Sequence, residues 1–252
     1  MIVRFPVVCY RAQERVFLQP IRERIQGNSI HATEPMDESQ LQMLADGARI
    51  TGVPLDAAQR WRFRLYIDEL LLWNRRHNLV ATTDPEEIVV RHVLDSLAPI
   101  PWLPRQDGNL LDIGSGAGFP GIPLKIALPS LEVSLLEASR KKASFLKRVA
   151  GILGQDGIDV LWERAEDFLG RKGVAGSFDM VISRAVFPPS VFALAGSPFL
   201  RPGGHLIVMA GPGAGNRTLP PAEACIEPVS IHEYTLPFSG DRRKIFLYIK
   251  SI

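Results

Sequence analysis

The stretch Leu110-Leu111-Asp112-Ile113-Gly114-Ser115-Gly116-Ala117-Gly118-Phe119-Pro120-Gly121 limits what this chain can fold into more than any other. An apolar strand runs into a turn with glycine at alternate positions, where backbone can approach a ligand closely in conformations a side chain forbids. Pro120 and Pro123 follow where a first helical turn accepts proline, because its N–H groups lack intrahelical partners. Strand, glycine turn and helix in this order predict a nucleotide-like ligand at the carboxyl end of a parallel strand.

The identity of that ligand turns on charge. Gly116-x-Gly118-x-x-Gly121 satisfies the dinucleotide pattern, a weak signal when it stands alone. Asp112 at the strand end would repel a pyrophosphate, and Gly114 precedes the dinucleotide register. A carboxylate suits a cationic ligand such as S-adenosylmethionine (SAM), which carries an ammonium and a sulfonium. Glu137 closes the run Val133-Ser134-Leu135-Leu136 nineteen residues beyond Gly118, the spacing at which an acid receives ribose hydroxyls. SAM is the preferred reading, with a nicotinamide dinucleotide as its rival.

With 252 residues the chain suits one ample α/β domain plus an appendage. A net charge of +2 excludes a wholly basic nucleic-acid coat, so any such contact must come from a local patch. Cys9 and Cys225 stand far apart, and with five histidines they show no ligand spacing, which predicts no metal site and a reducing compartment. Glycine, proline or charge interrupts every apolar run before it reaches membrane-spanning length, and the first residues do not read as a signal peptide. The expectation is a soluble, cytoplasmic monomer.

Residues 1–36 carry little pattern and read as a poorly ordered extension, with a short helix around Gln13–Ile25. Residues 37–104 read as an N-terminal helical region. Its helices start at Ser39, at Pro54-Leu55-Asp56 and at Asp84-Pro85; the second is apolar on several sides and therefore buried. Residues 105–252 alternate. Strands are expected at 109–113, 132–137, 158–162, 178–183, 205–210, 226–235 and 244–250, and helices at 119–128, 139–153, 166–170 and 189–200. The turn Arg201-Pro202-Gly203-Gly204 feeds the fifth strand. Such alternation implies a mostly parallel seven-stranded sheet, with a terminal hairpin that turns the last strand antiparallel. This is the layout of a Rossmann-like class I SAM-dependent methyltransferase.

Four separate stretches then carry a family resemblance. They are Trp73-Asn74 with Asn78-Leu79, Arg91-His92-Val93-Leu94-Asp95-Ser96-Leu97, Asp112 through Leu124, and Ile182-Ser183-Arg184-Ala185. In this order they resemble the bacterial ribosomal RNA small subunit methyltransferase G (glucose-inhibited division protein B) family over about residues 40–250. The resemblance implies SAM-dependent methylation of guanine N7 in 16S ribosomal RNA, naked or in the small ribosomal subunit. It implies cofactor contacts at Gly114, Phe119, Ala165, Glu166 and Arg184, beside Gly116 and Glu137 from the glycine turn and the ribose spacing. The chain departs from the family in reading Asn78-Leu79-Val80 for Asn-Leu-Thr. It also reads Met209-Ala210-Gly211 where a lysine is common, so another cation must replace that lysine or RNA binds differently.

Guanine N7 has a free lone pair and no proton to lose, so transfer to it needs alignment and no general base. The clamp Asn/Asp-Pro-Pro-Tyr for an exocyclic amine is absent, and neither cysteine lies near the site for a cytosine-C5 mechanism. Arg184, at the end of the fourth strand, is the candidate catalytic residue. Its planar fork suits a cofactor carboxylate or guanine O6, and in an open cleft it would add little to stability. His92 with Asp95 reads as an orienting pair or as a satisfied core histidine. RNA contacts are expected along Arg140, Lys141, Lys142, Lys147 and Arg148 and at Asn74, Arg75 and Arg76, with Arg91 and Arg242-Arg243-Lys244 in support. A methyltransferase for a small molecule or protein, or a ribosome-assembly module without turnover, remains an alternative.

Overall fold

Three carboxylates start the helices that precede the sheet. In the computed structural model, which describes residues 35–184, 188–214 and 220–251, helix α1 (Glu38–Ile50) is capped by Asp37, not by Ser39. The Asp37 carboxylate accepts the Gln40 N–H, and Gln40 reaches back to the Asp37 N–H in a reciprocal cap. Ser39 serves that cap by donating to the same carboxylate at 2.7 Å. Asp56 and Gln59 repeat the arrangement at α2 (Ala57–His77). Asp84 caps α3 (Pro85–Ile88), whose first-turn Glu86 and Glu87 favour the positive end of the helix. The segment continues through a π-helical turn, Val89–Leu94, into α4 (Asp95–Leu97). The helix expected around Gln13–Ile25, Cys9 and Ala185 all lie outside the described residues.

From Gly108 strands and helices alternate: β1 (Gly108–Ile113), α5 (Gly121–Ala127), β2 (Leu131–Leu136), α6 (Arg140–Leu153), β3 (Ile158–Leu161), α7 (Ala165–Leu169), β4 (Phe178–Arg184), α8 (Pro189–Gly196), β5 (Leu200–Ala210), β6 (Ile226–Thr235) and β7 (Arg242–Lys250). The sheet order is β3-β2-β1-β4-β5-β7-β6. Strand β7 runs antiparallel to both β5 and β6, and the other neighbours are parallel. β5 begins earlier than expected. The residues read as a turn, Arg201-Pro202-Gly203-Gly204, already belong to it, and a register shift between Phe178 and Met180 absorbs them.

Strand residues alternate between two cores, as a period of two requires. Leu110, Val133, Leu135, Met180, Ile182 and Ile207 face one side, where α1, α2 and the π-helical segment pack together with α5 and α6. Leu111, Leu136, Val181, Leu206 and Val208 face the other, under Phe168 of α7 and Phe192 of α8. The N-terminal helices therefore share their core with one whole face of the sheet. The strand order reverses between β1 and β4, and their carboxyl ends form the crevice in which such sheets bind ligands. Among the described residues, no helix is long and apolar enough to cross a membrane.

Candidate functional site

The glycine turn after β1 folds over its own strand. Gly114 and Ser115 donate to the Leu136 carbonyl, and Gly118 and Phe119 donate to the Ser115 carbonyl. Gly116 has φ +60°, and a Cβ added there would find only the Gly114 carbonyl at 3.9 Å, so its flank is open. At Gly121 a Cβ would meet Leu135 at 2.3 Å and Asp112 at 2.8 Å, so glycine is what lets α5 sit directly on the sheet. Pro120 occupies the N-cap of that helix.

Two acids meet this turn, and they differ in a way the sequence did not reveal. Asp112 is fully buried beneath it. One carboxylate oxygen accepts the Gly121 N–H at 3.0 Å, and the other is buried without a partner. Burial pushes its carboxyl up to about 7, against the lowering effect of the Gly121 hydrogen bond. It supports the turn from below, which corrects the reading of Asp112 as a ligand-facing charge. Glu137, 8% exposed, is the acid at the rim. Its oxygens accept the Gly116 N–H at 2.9 Å and the Ser139 N–H at 2.8 Å, which ties the turn to the head of α6. Each oxygen keeps a further lone pair for a ligand hydroxyl. Ala165 and Glu166 open α7 beyond β3, Ala165 half-buried and Glu166 exposed, on the same side of the crevice as Glu137. An open glycine flank, a rim carboxylate and the mouth of α7 suit a nucleoside carrying a cationic tail, and so fit SAM.

Arg184 lies 15% exposed at the end of β4 and is held on several sides. It donates to the Arg91 carbonyl at 3.0 Å, to Asp95 Oδ2 at 3.1 Å and to His92 Nδ1 at 3.0 Å, and its guanidinium lies 5.0 Å from the Phe119 ring centroid. Arginine only donates, so His92 Nδ1 must be the acceptor and the proton sits on Nε2. Burial, then the Arg184 charge, lowers His92 to about 4, which keeps it neutral. The His92 ring stacks on Phe119 with centroids 5.0 Å apart, and Tyr66 packs 5.5 Å from Phe119 while donating to the Ala117 carbonyl at 2.6 Å. The Phe119 side chain is thereby buried, leaving its backbone as the part nearest the turn. Asp95 also accepts from Tyr234 at 2.7 Å, with Arg243 3.9 Å away. His92 and Asp95 thus both orient Arg184. The expectation of an open-cleft arginine outside the packing is corrected, because its charge is the partner of the buried Asp95.

Around this cluster lies a cavity of about 480 Å³, lined by Arg91, His92, Asp95 and Arg184 on one side and by Ala210, Gly211, Tyr234 and Arg243 on the other. Tyr234 was missed as a site residue, and Arg243 was expected only as a supporting RNA cation, because only the β6–β7 pairing brings them here, opposite each other in register. Tyr66 lies in a helix whose apolar pattern conceals its single polar contact.

The residues expected to face RNA divide. Arg75 and Arg76 are exposed at the end of α2. Asn74 is not: it is buried, donates to the Thr82 carbonyl and accepts the Val80 N–H, and so holds the loop after α2. On α6, Lys141 donates to the His77 carbonyl, and Arg148 pairs with the buried Glu69 at 3.0 Å. Arg140 lies over the Trp162 ring. Lys142 and Lys147 form no ion pair among the described residues. The supporting cations are partly neutralised: Arg91 by Glu87 and Asp241, Arg242 by Glu233, Arg243 by Asp241.

The family model "rRNA small subunit methyltransferase G" matches residues 59–244. A relative from Syntrophus aciditrophicus (strain SB), named Ribosomal RNA small subunit methyltransferase G, is 42% identical over 206 residues, covering 79% of this chain and 85% of the relative. One of the same name from Myxococcus xanthus (strain DK1622) is 39% identical over 219 residues, covering 85% of this chain and 100% of the relative. Among solved structures, MtNAS in complex with MTA and tNA aligns with a TM-score of 0.51 at 17% identity, over 97% of this chain and 100% of its own, a likeness of fold.

Proposed function

The chain belongs to the rRNA small subunit methyltransferase G family, and we propose that it methylates N7 of one guanine in 16S ribosomal RNA, with SAM as methyl donor. It would act in the cytoplasm as a monomer, on the RNA or on the small subunit. When bound, SAM supplies a methyl carbon activated by the sulfonium. Glu137 would receive the ribose hydroxyls, Gly114 and Gly116 would admit the tail past the turn, and Ala165 and Glu166 would border the base.

The observation that carries the reading is the cavity behind Arg184. Three of the five guanidinium N–H groups hold the π-helical turn and Asp95 at the start of α4, which fixes the fork and leaves two donors for O6 and the face of a guanine or for a cofactor carboxylate. Fixing nucleophile and methyl in line supplies most of what this reaction needs, an effect of roughly 7–11 kcal/mol. No carboxylate here is placed as a base. Asp112 is beneath the turn, Asp95 is shared by Arg184 and Tyr234, and Glu137 holds two backbone N–H groups. That suits N7, which gives up no proton. The lysine common in the family near Ala210 would be replaced from the adjacent strand by Arg243, which lines the cavity, since Lys244, opposite Ala210 in register, is taken up by the Ala214 carbonyl and Glu233.

The test is single-turnover methylation of small subunits from a strain lacking the family enzyme, followed by mapping of the modified base. A single N7-methylguanine is expected, seen as chain cleavage after borohydride and aniline treatment. Methyl found on an exocyclic amine or a pyrimidine carbon would overturn the assignment.

A further inference from the structure

We propose that Trp162 is a stacking platform for a nucleobase of the RNA substrate at the outer rim of the cofactor crevice. The inference rests on the RNA reading above and adds a contact to it. Trp162 follows β3, the edge strand of the sheet, and is 54% exposed, whereas Trp61, Trp73 and Trp102 are all partly buried. The ring is nonetheless fixed. Its Nε1–H donates to the Ala138 carbonyl at 3.1 Å, directly beside Glu137, and the Arg140 guanidinium lies 5.5 Å from the ring centroid. A large apolar ring left in water is costly, and a hydrogen bond that holds it there gains nothing from burial. What the arrangement provides is a rigid π surface with a cation on it, at the head of the helix that continues through Lys142 and Lys147. Aromatic rings beside basic tracks are how proteins hold unstacked bases, and every base offers a π face.

The experiment compares Trp162→Ala and Trp162→Phe with the wild type and with a Lys142→Gln/Lys147→Gln variant. Affinity for unmethylated small subunits is measured across a salt series, and affinity for S-adenosylhomocysteine is measured by calorimetry. Trp162→Ala should weaken subunit binding roughly five- to 150-fold, the span of base–aromatic stacking. Its salt slope should stay unchanged, because no phosphate contact is lost. Trp162→Phe should retain most of the affinity, and S-adenosylhomocysteine should bind all variants equally. Wild-type subunit affinity in Trp162→Ala would overturn the platform, as would a loss confined to S-adenosylhomocysteine, which would make the ring a cofactor wall. The lysine variant separates this failure from failure of the RNA reading. If it too leaves binding and salt slope untouched, RNA does not use this face at all.

Discussion

Arg184 links the chemistry of the crevice to the folding of the segment before the sheet, so its replacement has two consequences. Arg184→Ala should lower single-turnover methylation at least about a hundredfold, the scale on which small misplacements act, while subunit binding, set by many phosphate contacts, changes little. It should also lower the melting temperature, because Asp95 would keep Tyr234 but lose its close guanidinium partner. Breaking such a pair costs about 3–5 kcal/mol, and the remaining Tyr234 bond places this one at the lower end. Arg184→Lys should recover stability better than activity, since a point charge cannot reproduce the fork. Equal loss in both measurements would reduce Arg184 to a structural residue. Asp112 gives a pH test at the same scale. Burial raises its carboxyl from 3.8 to about 7, so between those values the unfolded chain has released a proton that the folded chain retains. Its contribution is complete below about pH 4 and is lost as pH rises through 7. Asp112→Asn keeps an acceptor for the Gly121 N–H and carries no charge. The variant should therefore flatten that decline and melt higher at pH 8, by up to roughly 4 kcal/mol at 1.36 kcal/mol per unit. Melting curves from pH 4 to 8 with the same slope as the wild type would refute the assignment.

Helix α6 shows how one run of sequence can hold three kinds of cation. Lys141 and Arg148 bind α2, Arg140 lies beside the exposed Trp162 ring, and Lys142 and Lys147, the first partly buried and the second exposed, form no ion pair among the described residues. Replacing Lys142 and Lys147 with Gln should reduce the magnitude of the salt slope for RNA binding by roughly 0.7–0.9 per lost phosphate contact, with no change in melting temperature. Replacing Arg148 should instead lower stability, since it leaves the buried Glu69 with Trp73 alone. A titration in which Arg148 changes the slope and the two lysines do not would reverse these roles. The sequence shows the stripe but not this division, because the acceptors that claim Lys141 and Arg148 are 64 and 79 residues away. The glycine turn was legible for the opposite reason: its partners are its own strand, Glu137 and the start of the next helix. Asn74 was misplaced because an amide at a helix end looks alike from outside and inside. The cap at Asp37 lay two residues from Ser39, the residue expected to form it, and both serve the same reciprocal bond.

At the scale of the molecule, the helical region and the sheet do not divide where the chain suggests a boundary near residue 104. Phe63, Tyr66, Ile67 and Leu70 of α2 lie in one buried cluster with Ile122 of α5, Phe145 and Leu146 of α6, and Met180 and Ile182 of the sheet. Tyr66 reaches the glycine turn itself, and the π-helical turn and α4 supply His92 and Asp95 to Arg184. A core cut at that boundary would expose this apolar face and would lose two walls of the site, so residues 105–252 alone should neither fold nor bind cofactor product. The intact chain should melt in a single calorimetric transition, because no part of the cluster can open without uncovering the rest. S-adenosylhomocysteine at a hundred times its dissociation constant stabilises the folded state by about 2.7 kcal/mol. At about 2–4 °C per kcal/mol for a chain of this size, the whole transition should move up by roughly 5–11 °C. Two transitions, of which the ligand shifts only one, would show that the helices are a separable domain and that the crevice belongs to the sheet alone. A single transition that moves as a unit would mean that cofactor binding is felt as far as α2, through Tyr66 and the ring of Phe119.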